Sequence, residues 1–177
     1  MRRRDLCGVL LLLVYLLGVG LVTGPSLYQL LVWHLPTPRL ELVPFSDIIS
    51  VWTDTSSPGL GAFANIVGNL ALLAPLGFLL PLFWRYFHSI KHTVLFAAGL
   101  SLSIELIQLV AGGVTSVDDL VLNTAGAAIG FLLAKLLLQM CPRFSPQQTR
   151  SLQWVYPLAC WFAVIVLYTG ADCILLS

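Results

Sequence analysis

The chain has 177 residues, with nine Lys or Arg against eight Asp or Glu and a formal net charge of +1. Hydrophobic residues make up 58% of it and charged residues only 10%, where soluble domains carry roughly 25% charged residues; mean hydropathy is +0.92. These values exclude an ordinary water-facing globule, and with no basic stripe they exclude a nucleic-acid binder.

A membrane-spanning helix needs ~20 mostly apolar residues. The first candidate is Leu6–Val22, preceded by Arg2, Arg3 and Arg4. No small-x-small cleavage site follows it, and Thr23-Gly24-Pro25 is a poor one, so it is expected to be an uncleaved anchor. Leu27–Leu35 is apolar but short, bounded by Pro25 and Pro36, with Tyr28 and Trp33 suited to a membrane interface. It is expected to be an interfacial segment or a kinked extension of the first helix. Residues 36–62 carry Arg39, Glu41, Asp47 and Asp54 and read as a loop.

Three further spans follow at Ala62–Phe83, His92–Ala111 and Leu120–Leu138. Cys141–Gln153 is a polar connection with Pro142 and Pro146, and Trp154–Tyr168, extended to about Leu176, is the fifth span. The expected fold is an all-α integral membrane bundle of about five helices. It divides into an anchor region (1–40), a core (41–138) and a linker with the last helix (139–177), all within one membrane domain. The four cysteines, Cys7, Cys141, Cys160 and Cys173, lack CxxC spacing and read as small apolar fillers, with no disulfide framework or zinc site.

Orientation follows from the cations. With the N-terminus inside, the inner segments hold Arg2, Arg3, Arg4, Arg85, Lys91, Lys135, Arg143 and Arg150, and the outer ones hold only Arg39. The C-terminus is then outside. The acids Glu41, Asp47, Asp54, Asp118, Asp119 and Asp172 fall outside as well, and Asp5 falls inside. Glu105 lies within the third span, roughly 10 Å below its outer boundary at 1.5 Å per residue.

Near their outer ends, three helices carry polar residues at helical spacing. Asn65 and Asn69 share a face of the second helix; Ser101, Glu105, Gln108 and Gly112 share one on the third; Asp119 and Asn123 share one on the fourth, continued inward by Gly126, Gly130 and Ala134. Polar groups in hydrocarbon are costly, and the cost falls if they face one another. A polar pocket open to the outside is therefore expected among these helices, lined by Asn65, Asn69, Glu105, Gln108, Asp118, Asp119 and Asn123. Gly68, Gly126 and Gly130 are expected at helix contacts, and Pro75 and Pro81 to kink the second helix or free carbonyls.

Each feature also has a structural reading. Ser116, Asp118 and Asp119 suit a helix N-terminus, and Asn65 and Asn69 suit hydrogen bonding between helices. His88 and His92 lie at the inner end and read as interface residues; His34 is the outer histidine and stands apart. A nucleophile–histidine–acid triad is therefore not supported, and HExxH, Walker and GxSxG motifs are absent.

At these residues the sequence resembles the VanZ-like family, which takes its name from a teicoplanin resistance protein. The resemblance is carried by Leu42-Val43-Pro44-Phe45, by Asn65-x-x-Gly68-Asn69 with Pro75, Gly77 and Pro81, by Glu105-x-x-Gln108, and by Asp118-Asp119 with Asn123, Gly126 and Gly130. It covers about residues 41–134. Family members often carry an arginine in the outer loop before the aspartates, whereas this chain has Gly112-Gly113-Val114-Thr115-Ser116 there.

The resemblance implies a multi-pass protein of the bacterial cytoplasmic membrane that lowers sensitivity to teicoplanin-like lipoglycopeptides. The leading reading is non-catalytic: the pocket binds a lipid head group, a wall precursor or the antibiotic itself. The alternative is a membrane-embedded hydrolase or transferase on a lipid-linked substrate, with Glu105 as general acid or base and Asp118 and Asp119 as candidate Mg²⁺ ligands. A transporter subunit, acting as an oligomer, is the third; the inner half of helices two to four carries few polar residues, Lys135 near the end among them. No cofactor is expected, and the bilayer is the expected partner.

Overall fold

The computed structural model describes residues 3–23, 39–41, 43–45, 49, 60–110, 114–144, 146 and 153–175, without the side chains of 39, 40, 60, 110, 114, 170 and 172–175. The interfacial reading of Leu27–Leu35, the residues His34, Asp47, Asp54, Gly112 and Gly113, and the side chains of Arg39, Asp172 and Cys173 lie outside that description.

Five long helices dominate: α1 (Arg3–Thr23), α2 (Leu60–Phe83), α3 (Ile90–Val110), α4 (Val117–Met140) and α5 (Val155–Leu175). The first four are long and apolar enough to cross a membrane, and Val155–Thr169 of α5 is a shorter apolar stretch. Lipid cannot hydrogen-bond a peptide group, so a chain this apolar satisfies its backbone within helices. Short 3₁₀ turns at Arg85–His88 and Pro142–Phe144 follow α2 and α4. Helix α2 runs through both Pro75 and Pro81.

The bundle is built around α2 and α4, which form its most extensive helix pair; α3 packs on α4, and α5 packs on α1. Leu12 and Leu16 of α1, Leu73, Leu76 and Leu80 of α2 and Ile104 of α3 form its centre, together with Trp84, Phe87 and Val164. Large apolar side chains such as Val14, Leu95, Leu132 and Phe162 are exposed around the outside. In water such a surface would aggregate; here it is what faces lipid.

Three glycines explain why α2 and α4 come so close. A Cβ on Gly126 would overlap the Leu70 carbonyl, one on Gly130 the Ala74 carbonyl, and one on Gly77 the Ala127 carbonyl. These residues alternate from the two helices into a single seam of backbone contact. Gly68, expected in the same role, does not belong to it. It is exposed and a Cβ there meets nothing, because the contacting face of α2 passes through Leu70, Ala74 and Gly77 instead.

The two ends of the bundle differ in charge. At one end Arg4 of α1 donates to Leu82 O at 2.7 Å and to Phe144 O, closing the last turn of α2 against the end of α4. Tyr86 N donates to Gln153 Oε1 at 3.0 Å, and His92 stacks on Tyr86 with centroids 4.3 Å apart. The other end holds Thr23, the start of α2, the end of α3 and the acidic start of α4.

Candidate functional site

The acidic end is organised by the start of α4. Ser116 is its N-cap: the Ser116 hydroxyl accepts from Asp118 N at 3.1 Å, satisfying one of the amides a helix start leaves open. Asp118 and Asp119 follow in the first turn, where carboxylates complement the positive end of the helix dipole. The structural reading of these residues holds: Ser116 caps the helix and the two carboxylates occupy its first turn.

The two carboxylates diverge. Asp118 is 3% exposed and accepts from the backbone amide of Phe45. Asp119 turns towards α2, where Asn69 Nδ2 donates to Asp119 Oδ1 at 2.5 Å and Asn65 Nδ2 donates to the same oxygen at 3.2 Å. Asn69 Nδ2 also donates to Asn65 Oδ1 at 3.2 Å. Asn65 is exposed, and Asn69 and Asp119 are half-buried. The i,i+4 asparagines thus act as one surface gripping one carboxylate oxygen.

Glu105 sits behind this group, 4% exposed. Its Oε2 accepts from Ser116 N at 3.1 Å, and its backbone carbonyl accepts from Thr115 Oγ1 at 3.1 Å. A helix-borne carboxylate is thereby tied to the segment that positions Asp118 and Asp119. One turn inward, Asn123 Nδ2 donates to Ser101 Oγ at 3.1 Å, with Asn123 1% exposed and Ser101 fully buried. That bond fixes the rotation of α3 against α4.

Gln108 goes elsewhere. Its Nε2 donates to Thr23 O at 3.3 Å, at the last residue of α1. It therefore caps a carbonyl of α1 rather than reaching Glu105, although the two lie on the same side of α3.

One element has no counterpart in the sequence expectations. Strand β1 (Arg39–Glu41) pairs in parallel with β2 (Val114–Ser116), in the register Arg39↔Val114, Leu40↔Thr115 and Glu41↔Ser116. The residues before α2 are thus bound to the residues before α4, and Phe45 arrives over Asp118. Phe45 has φ 65°, a left-handed conformation that costs a non-glycine residue energy, and its amide is held by the carboxylate. Its side chain and that of Val43 are exposed, on the segment whose backbone Asp118 holds.

Among the described residues, no three His, Cys, Asp or Glu side chains converge as metal ligands. Asp118 and Asp119 hydrogen-bond to different partners, the Phe45 amide and the Asn69 side chain.

The chain matches the family model described as VanZ/LLP1 over residues 8–138. It belongs to the VanZ-like family, and the match runs from within α1 to the last turns of α4. No curated protein and no solved structure matches it.

Proposed function

We propose that this chain is a multi-pass envelope protein whose acidic end faces outward and binds the head group of an amphiphile, with no covalent chemistry. The carrying observation is the Asn65–Asn69–Asp119 group, an accessible set of amides and one carboxylate held by direct hydrogen bonds. Such groups suit hydroxyls, amides and amines, as found on sugars and peptides. The exposed Val43 and Phe45, on the segment held by Asp118, suit an acyl chain. A lipid-linked wall precursor and a teicoplanin-like lipoglycopeptide both combine these features, and lowered sensitivity to the latter is the expected phenotype.

Orientation is part of the reading. Arg3, Arg4, Arg85 and Arg143 cluster at one end, and the positive-inside rule assigns that end to the cytoplasm. The burial of Glu105 and its bond to Ser116 N favour a positioning role over proton transfer.

The test is binding of teicoplanin and of a lipid-linked precursor to purified protein in nanodiscs. Asn69→Ala is expected to weaken binding roughly tenfold, as loss of a hydrogen bond to a charged group does. Unchanged binding by a folded Asn69→Ala protein, or no binding of either ligand by wild type, contradicts the reading.

A further inference from the structure

We infer a second binding site, at the opposite end of the bundle: a groove between α3 and α5 that takes one acyl chain of an anionic membrane phospholipid. The groove encloses about 310 Å³ and is lined by Leu95, Phe96, Gly99, Ser103, Leu158 and Trp161. Its origin is a gap in packing. Helix α5 packs along α1, and it meets α3 where Trp161 Nε1 donates to Ser103 Oγ at 2.8 Å. That bond closes the far end of the groove.

Its floor is Gly99, where a Cβ would meet nothing within 4 Å. The walls are half open, with Leu95 60% and Leu158 48% exposed. From Leu95 to Ser103 the groove runs ~12 Å along the helix axis. The walls are apolar, so a hydrocarbon chain fits them and a polar ligand does not.

The mouth selects the head group. Lys91, Leu95, Gly99 and Ser103 succeed one another at four-residue steps, so they form one ridge of α3 with the exposed Lys91 at its cationic end. Trp154, partly exposed at the start of α5, stands one turn before Leu158 on the opposite wall. Tryptophan and lysine at this level match the head-group region of a bilayer, and a lysine there attracts a lipid phosphate. An apolar groove with a cation one helical turn beyond Leu95 thus fits an anionic diacyl lipid, with its phosphate at Lys91 and one tail over Gly99. This site shares no residue with the polar group at the acidic end.

The experiment reconstitutes the full chain in phosphatidylcholine vesicles containing spin-labelled phosphatidylglycerol or spin-labelled phosphatidylcholine, and measures the motionally restricted lipid by electron spin resonance. Wild type is expected to restrict phosphatidylglycerol with roughly fivefold preference, the contribution of one lysine beside an anionic lipid. Lys91→Gln is expected to remove the preference, and Gly99→Leu to displace the restricted tail without loss of helix content. Because Lys91 is exposed, Lys91→Gln decides the matter even if Gly99→Leu fails to fold. Equal restriction of both lipids by wild type overturns the inference, as does a preference that survives in Lys91→Gln. A dimer showing no lipid preference overturns it in favour of a second copy on this face.

Discussion

At the residue scale, the site depends on who holds each carboxylate. Asp119 is held by two asparagine amides and Asp118 by a backbone amide, so the adjacent aspartates do different work. Replacing Ser116 by Ala removes the cap that aims both. It is expected to cost about 1 kcal/mol of stability, read from thermal unfolding in detergent; an unchanged unfolding midpoint would contradict the capping role. His88 at the cationic end gives a pH prediction. Burial, and then the neighbouring charges of Lys135, Arg85 and Arg4, hold its pKa below the ordinary 6.5, against a hydrogen bond to Pro81 that works the other way. The unfolded chain therefore takes up this proton first as pH falls. The contribution is fully present above about pH 6.5 and is lost below it. Between pH 7.5 and 5.5, wild type is expected to lose more thermal stability than His88→Gln, and equal losses would contradict the assignment.

At the element scale, the α2–α4 seam is the mechanical base of the site, since Asn65 and Asn69 ride on α2 and Asp119 on α4. Gly126→Leu drives a side chain into the Leu70 backbone and is expected to cost about 3 kcal/mol or to prevent folding, with overpacking of a tight contact as the cause. Gly68→Ala is the matched control: in open space it is expected to be neutral or to stabilise α2 by about 0.5–1 kcal/mol. Comparable damage from both would refute the seam. The GxxxG spacing on α4 was legible in the sequence because both glycines lie on one helical face. The different fate of Gly68 was not, since local spacing does not say which face of α2 meets α4. The β1–β2 pairing was also hidden. Three-residue strands in a parallel pair leave no periodic pattern, and their partners lie more than seventy positions apart in the chain.

At the scale of the whole molecule, hydropathy and charge carried most of the information. Long apolar runs mark the helices because lipid leaves few alternatives, and the apolar helices agree with the expected spans to within a few residues. The gathering of Asn65, Asn69, Glu105, Asp119 and Asn123 at one end was legible for the same reason, as polar groups in a bilayer seek one another. Which residue meets which was not, as Gln108 illustrates: its partner is a carbonyl of α1, set by the packing of α3 beside Thr23. Orientation gives a prediction at this scale. In intact cells, a membrane-impermeant maleimide is expected to label Glu41→Cys and to miss Arg143→Cys, each in a background without the native cysteines. The reverse pattern would invert the protein.

The central claim is that the Asn65–Asn69–Asp119 group is a binding surface, and cell sensitivity tests it most directly. Wild type, Asn69→Ala and Asp119→Asn are expressed at matched membrane levels in a glycopeptide-sensitive host, and growth is followed against teicoplanin. The account predicts protection by wild type and its loss in both variants. Protection that persists undiminished in both variants would contradict it.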